Sequence, residues 1–174
     1  MVCTGNICRS PIAEAVLRSQ LAHAGLTGSV SVASAGTGRW HVGQDADPQA
    51  LAALERAGYR LPDHRARQFE PGWLRTYDLV LAMDTGNERA LLRYATTPPD
   101  RAKIHLLRTY DPAASEEDRE VADPYGGGPA DFDRTVRVVE AACPHLVDEL
   151  SRHLAGPSDT WPAPPPPGRS VDPV

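Results

Sequence analysis

The fold is decided by residues 1–25, MVCTGNICRSPIAEAVLRSQLAHAG, which join a short apolar start to a helix through a polar loop. The first residues read as the end of a strand. Apolar residues at helical spacing, with Pro11 in the first turn and Gly25 as a stop, predict a helix over residues 11–25. A strand that passes through a loop directly into a helix is the repeating unit of α/β folds.

The same alternation continues along the chain. It predicts strands over residues 30–33, 78–83 and 103–107, and helices over residues 47–58, from residue 84 to about residue 95, and from about residue 130. Such alternation is typical of a parallel sheet covered by helices on both faces. We therefore predict one α/β domain over residues 1–155, with ligands bound at the carboxyl ends of its strands.

The last segment differs from the rest in composition. Residues 156–174, GPSDTWPAPPPPGRSVDPV, are rich in proline and hold few residues that could build a core. This composition is typical of a disordered or polyproline II tail. We therefore place the end of the predicted domain at residue 155.

Charge and cysteine content exclude several classes of protein. The net charge of −5 argues against a general binder of nucleic acid or of membrane surfaces. The three cysteines, Cys3, Cys8 and Cys143, do not form the even framework of a disulfide-rich secreted protein. No apolar run approaches the length of a membrane span, and no signal peptide is visible. These features predict a cytoplasmic protein.

The loop between the predicted strand and helix has the chemistry of an anion site. Gly5 permits a tight turn, and Asn6 tolerates the left-handed backbone conformation. Backbone N–H groups in such a loop point inward, and the following helix N-terminus adds positive potential. Arg9 supplies a two-pronged donor for phosphate oxygens. Cys3 would then be a thiolate nucleophile beneath a cradle for a dianion.

These residues carry a resemblance to a known family. The run Cys3-Thr4-Gly5-Asn6-Ile7-Cys8-Arg9-Ser10-Pro11 resembles the phosphate-binding loop of low-molecular-weight protein tyrosine phosphatases, and the resemblance extends over residues 2–152. It implies a four-stranded parallel sheet of order 2-1-3-4. It also implies a monomer that needs neither cofactor nor metal and acts on phosphotyrosine-containing proteins, without nucleic-acid or membrane partners.

The resemblance assigns a role to each residue of the loop. Cys3 would attack phosphorus, and Arg9 would hold the oxygens that carry the transition-state charge. Ser10 would donate a hydrogen bond to the Cys3 sulfur, and Asn6 with Ser34 would hold the loop in shape. The resemblance assigns phosphate binding to Thr4, Gly5, Asn6, Ile7, Cys8 and Arg9.

A second match supplies the general acid and the walls of the substrate pocket. Asp123-Pro124-Tyr125 resembles the acid loop of the same family, so Asp123 would protonate the phenolate leaving group. Asp111 also precedes a proline but lacks the following aromatic residue, which makes it the weaker candidate. Trp40 and Tyr125 would form the two walls around the substrate ring.

The chain departs from the family pattern in two places. Glycines occupy positions 126–128, where relatives often have a second aromatic residue, so the acid loop is expected to be more mobile. Only Met1 and Val2 precede the nucleophile, where relatives have several apolar residues. This predicts a shortened first strand that leaves the backbone groups of its neighbours unpaired, and it suggests a true start upstream of Met1.

Four other functions fit parts of the pattern. Arsenate reductases share the loop but need later resolving cysteines, and none occurs between Cys8 and Cys143. Arginine phosphatases of this fold tend to have threonine in place of Ile7. A zinc site would rest on the C-x4-C spacing, which lies at the edge of the usual range and has no second ligand pair. A phosphate-binding module without catalytic activity would not need Cys3, Arg9 and Asp123 together.

Overall fold

The computed structural model describes residues 1–156, so the proline-rich segment beyond Gly156 lies outside it. None of the helices in this part of the chain is both long and apolar enough to span a membrane. The described elements are β1 (Val2–Cys3), α1 (Arg9–His23), β2 (Ala35–Gly36), α2 (Pro48–Arg56), β3 (Val80–Ala82), α3 (Thr85–Leu92), α4 (Pro98–Ala102), β4 (Ile104–Leu106) and α5 (Pro129–Ala155). Short 3-10 helices at Pro71–Arg75 and Leu107–Tyr110 complete them.

The four strands form one parallel sheet in the order β2-β1-β3-β4. The central strand, β1, aligns Val2 with Ala35 of β2 on one side and with Ala82 of β3 on the other. Because all strands run in the same direction, their carboxyl ends meet at one edge, where the loop after Cys3 lies. The predicted order 2-1-3-4 and the α/β class are confirmed.

Alternating residues of the sheet face two separate apolar cores. Cys3 and Leu81 point toward the side on which α1, α2 and α5 pack against one another. Val2, Val80 and Ala82 point toward the other side, where Phe69, Leu74 and Leu91 are buried. The sheet is therefore covered on both faces, as a parallel sheet requires.

One predicted strand is wrong. Residues 30–33 do not form a strand; β2 lies further along, at Ala35–Gly36. The β-branched residues of this segment suggested a strand. They lie beside the part of the sheet that precedes Val2, where β1 begins, so β1 does not extend far enough to pair with them. A strand forms only beside a neighbouring strand with which it can exchange hydrogen bonds. Here the Met1 amino group donates a hydrogen bond to the Ala33 carbonyl oxygen at 2.8 Å.

A cavity of about 340 Å³, partly open to solvent, lies beside Met1 and Val2. Residues 29–35 and 78–81 line it on either side, and the side chains of Leu17, Phe69 and Leu146 are among those above and below. Burial lowers the pKa of the Met1 amino group from 8.0 to about 6 at this point. The cavity thus lies in line with β1, between the two segments that β1 would separate if it were longer.

Candidate active site

The loop from Thr4 to Cys8 connects the carboxyl end of β1 to the first turn of α1 and surrounds the sulfur of Cys3. The Cys3 Sγ atom lies 3.0 Å from the Ser10 Oγ atom, and the Asn6 N–H group donates to Cys3 Sγ at 3.3 Å. The second contact places an N–H donor next to the sulfur, while in the first contact either the thiol or the hydroxyl can donate. The N-terminus of α1 faces the same loop and adds positive potential.

Asn6 holds the loop in shape from its centre. Its φ angle is +57°, in the left-handed region that the sequence led us to expect. The buried Asn6 amide donates to the hydroxyls of Ser10 and Ser34, both at 2.9 Å, and its carbonyl oxygen accepts from the Arg67 N–H group at 2.9 Å. These bonds connect the loop to α1 and to the segment around Ser34.

Two residues outside the loop lie close to its backbone oxygens. The His64 Nε2 atom is 2.8 Å from the backbone oxygen of Asn6. Gly36 of β2 approaches so closely that a Cβ atom there would lie 2.7 Å from the Thr4 carbonyl oxygen. A side chain at position 36 would therefore displace the loop, which explains a glycine at this strand position.

Arg9 is buried and connects three parts of the site. Its Nη1 group donates to Asp84 Oδ2 at 2.6 Å and to the Val121 carbonyl at 3.1 Å, and its Nη2 group donates to Asp123 Oδ2 at 2.8 Å. The buried Nε atom of Arg9 has no hydrogen-bond partner among residues 1–156. Buried donors are rarely left unpaired, so this N–H group is suited to a ligand oxygen.

Asp123 and Asp111 lie in different environments. The Asp123 side chain is 47% exposed, contacts Arg9, and accepts the Tyr125 N–H group at 3.3 Å. Asp111 is buried, pairs with Arg108 and accepts the Ala113 N–H group at 2.9 Å. Of the two candidates for the general acid, Asp123 contacts Arg9 of the cysteine loop, while Asp111 stabilises the turn that it begins.

The other two cysteines are in surroundings that keep them protonated. Burial, together with the charges of Asp47 and Cys3, raises the pKa of Cys8 to about 12. Burial and the nearby Glu140 raise the pKa of Cys143 to about 12. Cys143 is a residue of α5, remote in sequence from the loop and fully buried in the core. Neither thiol is suited to act as a nucleophile at neutral pH.

The two rings predicted as walls of the substrate pocket, Trp40 and Tyr125, are both exposed. Tyr125 is 63% exposed at the end of the acid loop, and the ring it meets is that of His41, with centroids 6.1 Å apart. Trp40 is 73% exposed, and its ring lies directly against Gly38. The structure therefore places His41, not Trp40, next to Tyr125.

Several contacts of the site could not be found from the sequence. Asp84 binds Arg9 and also caps α3 by accepting the Asn87 N–H group at 2.6 Å. The Gln49 side chain donates to the Gly127 carbonyl at 3.2 Å and so connects α2 to the acid loop. The position of Asp84 directly after a buried strand was the one available signal, since ligands bind at such strand ends.

Comparisons with known proteins agree with this geometry. The family model described as low molecular weight phosphotyrosine protein phosphatase matches residues 1–155. A low molecular weight protein-tyrosine-phosphatase of Streptomyces coelicolor is 50% identical over 155 residues, which cover 89% of this chain and 94% of the relative. Low molecular weight protein-tyrosine phosphatase A of Mycobacterium bovis is 43% identical over 159 residues, covering 90% and 94% of the two chains.

Solved structures share the fold. A protein tyrosine phosphatase from Entamoeba histolytica, crystallised with Hepes in its active site, superposes with a TM-score of 0.82 at 33% identity, over 88% of this chain and 96% of that one. The tyrosine phosphatase Wzb from Escherichia coli K30, in complex with sulphate, superposes with a TM-score of 0.72 at 34% identity, over 86% and 94%.

Proposed function

The chain belongs to the low molecular weight phosphotyrosine protein phosphatase family, and we propose that it hydrolyses phosphotyrosine through a phosphocysteine intermediate on Cys3. The observation that carries this proposal is the grouping of Cys3, Ser10, Arg9 and Asp123 around one loop. Nucleophile, anion clamp and acid are the parts that such a reaction needs.

In the first step, the Cys3 sulfur attacks phosphorus and the bond from phosphorus to the tyrosine oxygen breaks. The leaving phenolate is strongly basic, so Asp123 donates its proton to that oxygen. Arg9 and the inward N–H groups of the loop bind the equatorial oxygens, where the transition-state charge lies. The products of this step are tyrosine and the phosphorylated cysteine.

In the second step, a water molecule attacks phosphorus and the bond from sulfur to phosphorus breaks. Asp123, now ionised, accepts a proton from this water. The departing sulfur receives a hydrogen bond from the Ser10 hydroxyl, which lies 3.0 Å away. Inorganic phosphate leaves, and Cys3 is ready for another substrate.

Arg9 also links substrate binding to the acid. Its Nη2 group donates to Asp123 at 2.8 Å, so the acid lies directly beside the group that would bind phosphate. A phosphate dianion bound to Arg9 would compete with Asp123 for this guanidinium.

The neighbourhood of the loop favours an aryl ester over the alternatives. Ile7 places an apolar, nearly buried side chain in the loop, where arginine phosphatases tend to have threonine. Cys143 is fully buried in the core, so it is not placed to resolve a disulfide as a reductase would require. We further propose that residues 1–155 act as a monomeric cytoplasmic domain on phosphotyrosine proteins, without a metal or cofactor.

Trapping the intermediate tests the mechanism. The chain is mixed with a phosphotyrosine peptide, quenched in acid within milliseconds and analysed by intact mass, followed by mapping of the modified peptide. We expect a phosphoryl group on the peptide that contains Cys3. Cys3→Ser should abolish both turnover and labelling, while Cys143→Ser serves as the matched control and should retain both.

Substrate selectivity is measured in parallel with phosphotyrosine, phosphoserine and phosphoarginine peptides of one sequence. The proposal predicts a clear preference for phosphotyrosine. Comparable rates on all three, or a preference for phosphoarginine, would overturn the assignment of substrate. Turnover by Cys3→Ser at the wild-type rate would overturn the nucleophile.

A further inference from the structure

The end of the acid loop, residues 126–128, consists of glycine. Gly126 has a φ angle of +78°, in the left-handed region that favours glycine. A Cβ atom on Gly127 would lie 2.6 Å from Asp131 Oδ2 and 3.0 Å from the Pro124 carbonyl oxygen, so no side chain fits there. The end of the loop therefore binds the rest of the protein through its backbone groups.

One of these backbone groups binds a side chain of α2. The half-buried Gln49 side chain donates from Nε2 to the Gly127 carbonyl oxygen at 3.2 Å. A carbonyl oxygen can only accept, so it is the nitrogen of the Gln49 amide that faces the loop. This bond joins two elements of the fold across 78 positions of the chain.

The start of α2 is itself bound to the phosphate-binding loop. The Asp47 N–H group donates to the Ile7 carbonyl oxygen at 2.8 Å. The Asp47 side chain in turn accepts the Gln49 N–H group at 2.8 Å. Residues 47–49 therefore connect Ile7 of the phosphate-binding loop to Gly127 of the acid loop, so each loop restricts the position of the other.

A separate set of bonds fixes the chain just before the acid loop. The Val121 N–H group donates to the Met83 carbonyl oxygen at 2.7 Å, and the Val121 carbonyl oxygen accepts from Arg9 at 3.1 Å. Asp123 lies in the chain between Val121 and Gly127. Its loop is thus bound at both ends, and loss of the Gln49 bond would release the glycine end.

We propose that Gln49 is a positioning residue for the general acid, because it holds the glycine end of the acid loop against α2 and so keeps Asp123 beside the leaving group. This inference rests on the proposed function and concerns a residue that does not touch the reacting atoms. A single neutral hydrogen bond contributes modestly, so its loss should slow leaving-group protonation about three- to tenfold. The effect should increase with the basicity of the leaving oxygen, since a basic oxygen depends most on the proton.

The test compares two aryl phosphates whose leaving groups differ in basicity. We measure kcat/KM for phenyl phosphate and for p-nitrophenyl phosphate, and inhibition by inorganic phosphate reports on the phosphate-binding loop. Gln49→Met keeps the length of the side chain without its donor, and Gln49→Lys keeps a donor. Arg56→Met is the matched control, because Arg56 Nε donates from the other end of α2 to Asp133 Oδ1 at 3.1 Å.

We expect Gln49→Met to lower kcat/KM about three- to tenfold for phenyl phosphate and less than about twofold for p-nitrophenyl phosphate. Inhibition by phosphate should not change. Gln49→Lys should restore kcat/KM for phenyl phosphate to within about twofold of wild type. Arg56→Met should leave the ratio of the two kcat/KM values as it is in wild type.

A double variant separates positioning of the acid from a general effect on the fold. In an Asp123→Asn background, where the acid is absent, Gln49→Met should cause no further loss of activity. A full additional loss in this background would overturn the proposal. So would equal losses on the two esters, weaker inhibition by phosphate, or unchanged hydrolysis of phenyl phosphate by Gln49→Met.

Hydrogen exchange tests the inference without turnover. In Gln49→Met, the peptide that covers residues 124–131 should exchange at least about threefold faster than in wild type, because the loop is released. Unchanged exchange in this peptide would overturn the inference. A wild-type chain that binds inorganic phosphate but hydrolyses neither ester would overturn the proposed function, while faster exchange in Gln49→Met would still support the hold of Gln49 on the loop.

Discussion

Arg9 and Asp123 are directly paired, with the Arg9 Nη2 group 2.8 Å from the Asp123 Oδ2 atom. These residues lie 114 positions apart in the chain, and their contact joins the phosphate-binding loop to the acid loop. The proposed anion clamp and the proposed proton donor are thus an ion pair, so a change at either residue affects the contacts of the other.

Asp123→Asn should slow the release of a basic leaving group. The amide retains an oxygen that Arg9 can contact, but it has no proton to donate to the phenolate. We expect kcat on a phosphotyrosine peptide to fall by about 100-fold or more, the usual contribution of general acid catalysis. The loss on p-nitrophenyl phosphate should be smaller, because nitrophenol is a more acidic phenol. An equal loss on both substrates would contradict a role in protonating the leaving group.

Asp84→Asn should weaken the orientation of Arg9 without unfolding the chain. Asparagine is as good a helix cap as aspartate, so the bond to the Asn87 N–H group is retained. The charge-assisted bond to Arg9 Nη1 is lost. We expect kcat to fall about tenfold or more, with little change in Tm.

Asp47→Asn is the matched control for this variant. The Asp47 side chain caps α2 by accepting the Gln49 N–H group at 2.8 Å, and among residues 1–156 it forms no ion pair with Arg9. Its kcat should remain close to that of wild type. If both substitutions lower kcat equally, the effect of Asp84 comes from capping and not from Arg9.

Asn6→Ala should damage stability and activity together. The substitution removes the hydrogen bonds to the Ser10 and Ser34 hydroxyls and from the Arg67 N–H group, in a backbone conformation that alanine disfavours. We expect a loss of about 2–4 kcal/mol in the free energy of unfolding, measured in urea, and a marked fall in kcat. Ser34→Ala removes only one of these bonds and should have a smaller effect on both quantities. A stable and fully active Asn6→Ala protein would show that the loop holds its shape without this side chain.

An apolar extension should fill the cavity beyond β1. Fusing Val-Leu-Val-Val to Met1 would supply extended backbone between residues 29–35 and 78–81 and apolar side chains to the 340 Å³ space. Burial of these side chains should raise Tm by roughly 5 °C or more. A Ser-Gly-Ser-Asn extension of equal length is the control and should not raise Tm. If the two extended proteins melt at the same temperature, the cavity does not accept a strand.

The same pair of proteins tests the buried amino group. Burial lowers the pKa of the Met1 amino group to about 6, so between pH 6 and 8 the unfolded chain binds more protons than the folded chain. The stability of the 174-residue chain should therefore rise as pH increases from 6 to 8 and fall as pH decreases. In the extended proteins this group is an amide, so this part of the pH dependence of Tm should disappear.

The sequence predicted the parts of the structure that depend on local pattern. The strand, loop and helix around Cys3 follow from the glycine, proline and apolar spacing of residues 1–25, and Pro48 marks the start of α2. The segment over residues 30–33 could not be predicted correctly, because its β-branched residues favour a strand that only a neighbour can complete. Strand pairing depends on which segments lie next to each other in the sheet, and the local sequence pattern does not show this.

The site was predictable to the extent that its residues are adjacent in the chain. The grouping of Cys3, Asn6, Arg9 and Ser10 follows from one loop, and the link to Asp123 came from a resemblance and not from spacing. Contacts made by single side chains across the sheet edge, such as that of Asp84 with Arg9, carry no sequence pattern of their own. Trp40 and His41 are neighbours, and which of them turns toward Tyr125 depends on the backbone path after Gly38.

The most direct test of the central claim is the selective alkylation of Cys3. Iodoacetate is added to the folded chain at neutral pH, with and without vanadate, and the extent of labelling at Cys3, Cys8 and Cys143 is followed by peptide mapping. The account predicts rapid labelling of Cys3 alone, loss of activity in proportion, and protection by vanadate bound in the loop beside Arg9. Slow labelling of Cys3 at the rate of an ordinary thiol, or labelling that vanadate does not change, would contradict a nucleophilic sulfur beneath an anion cradle.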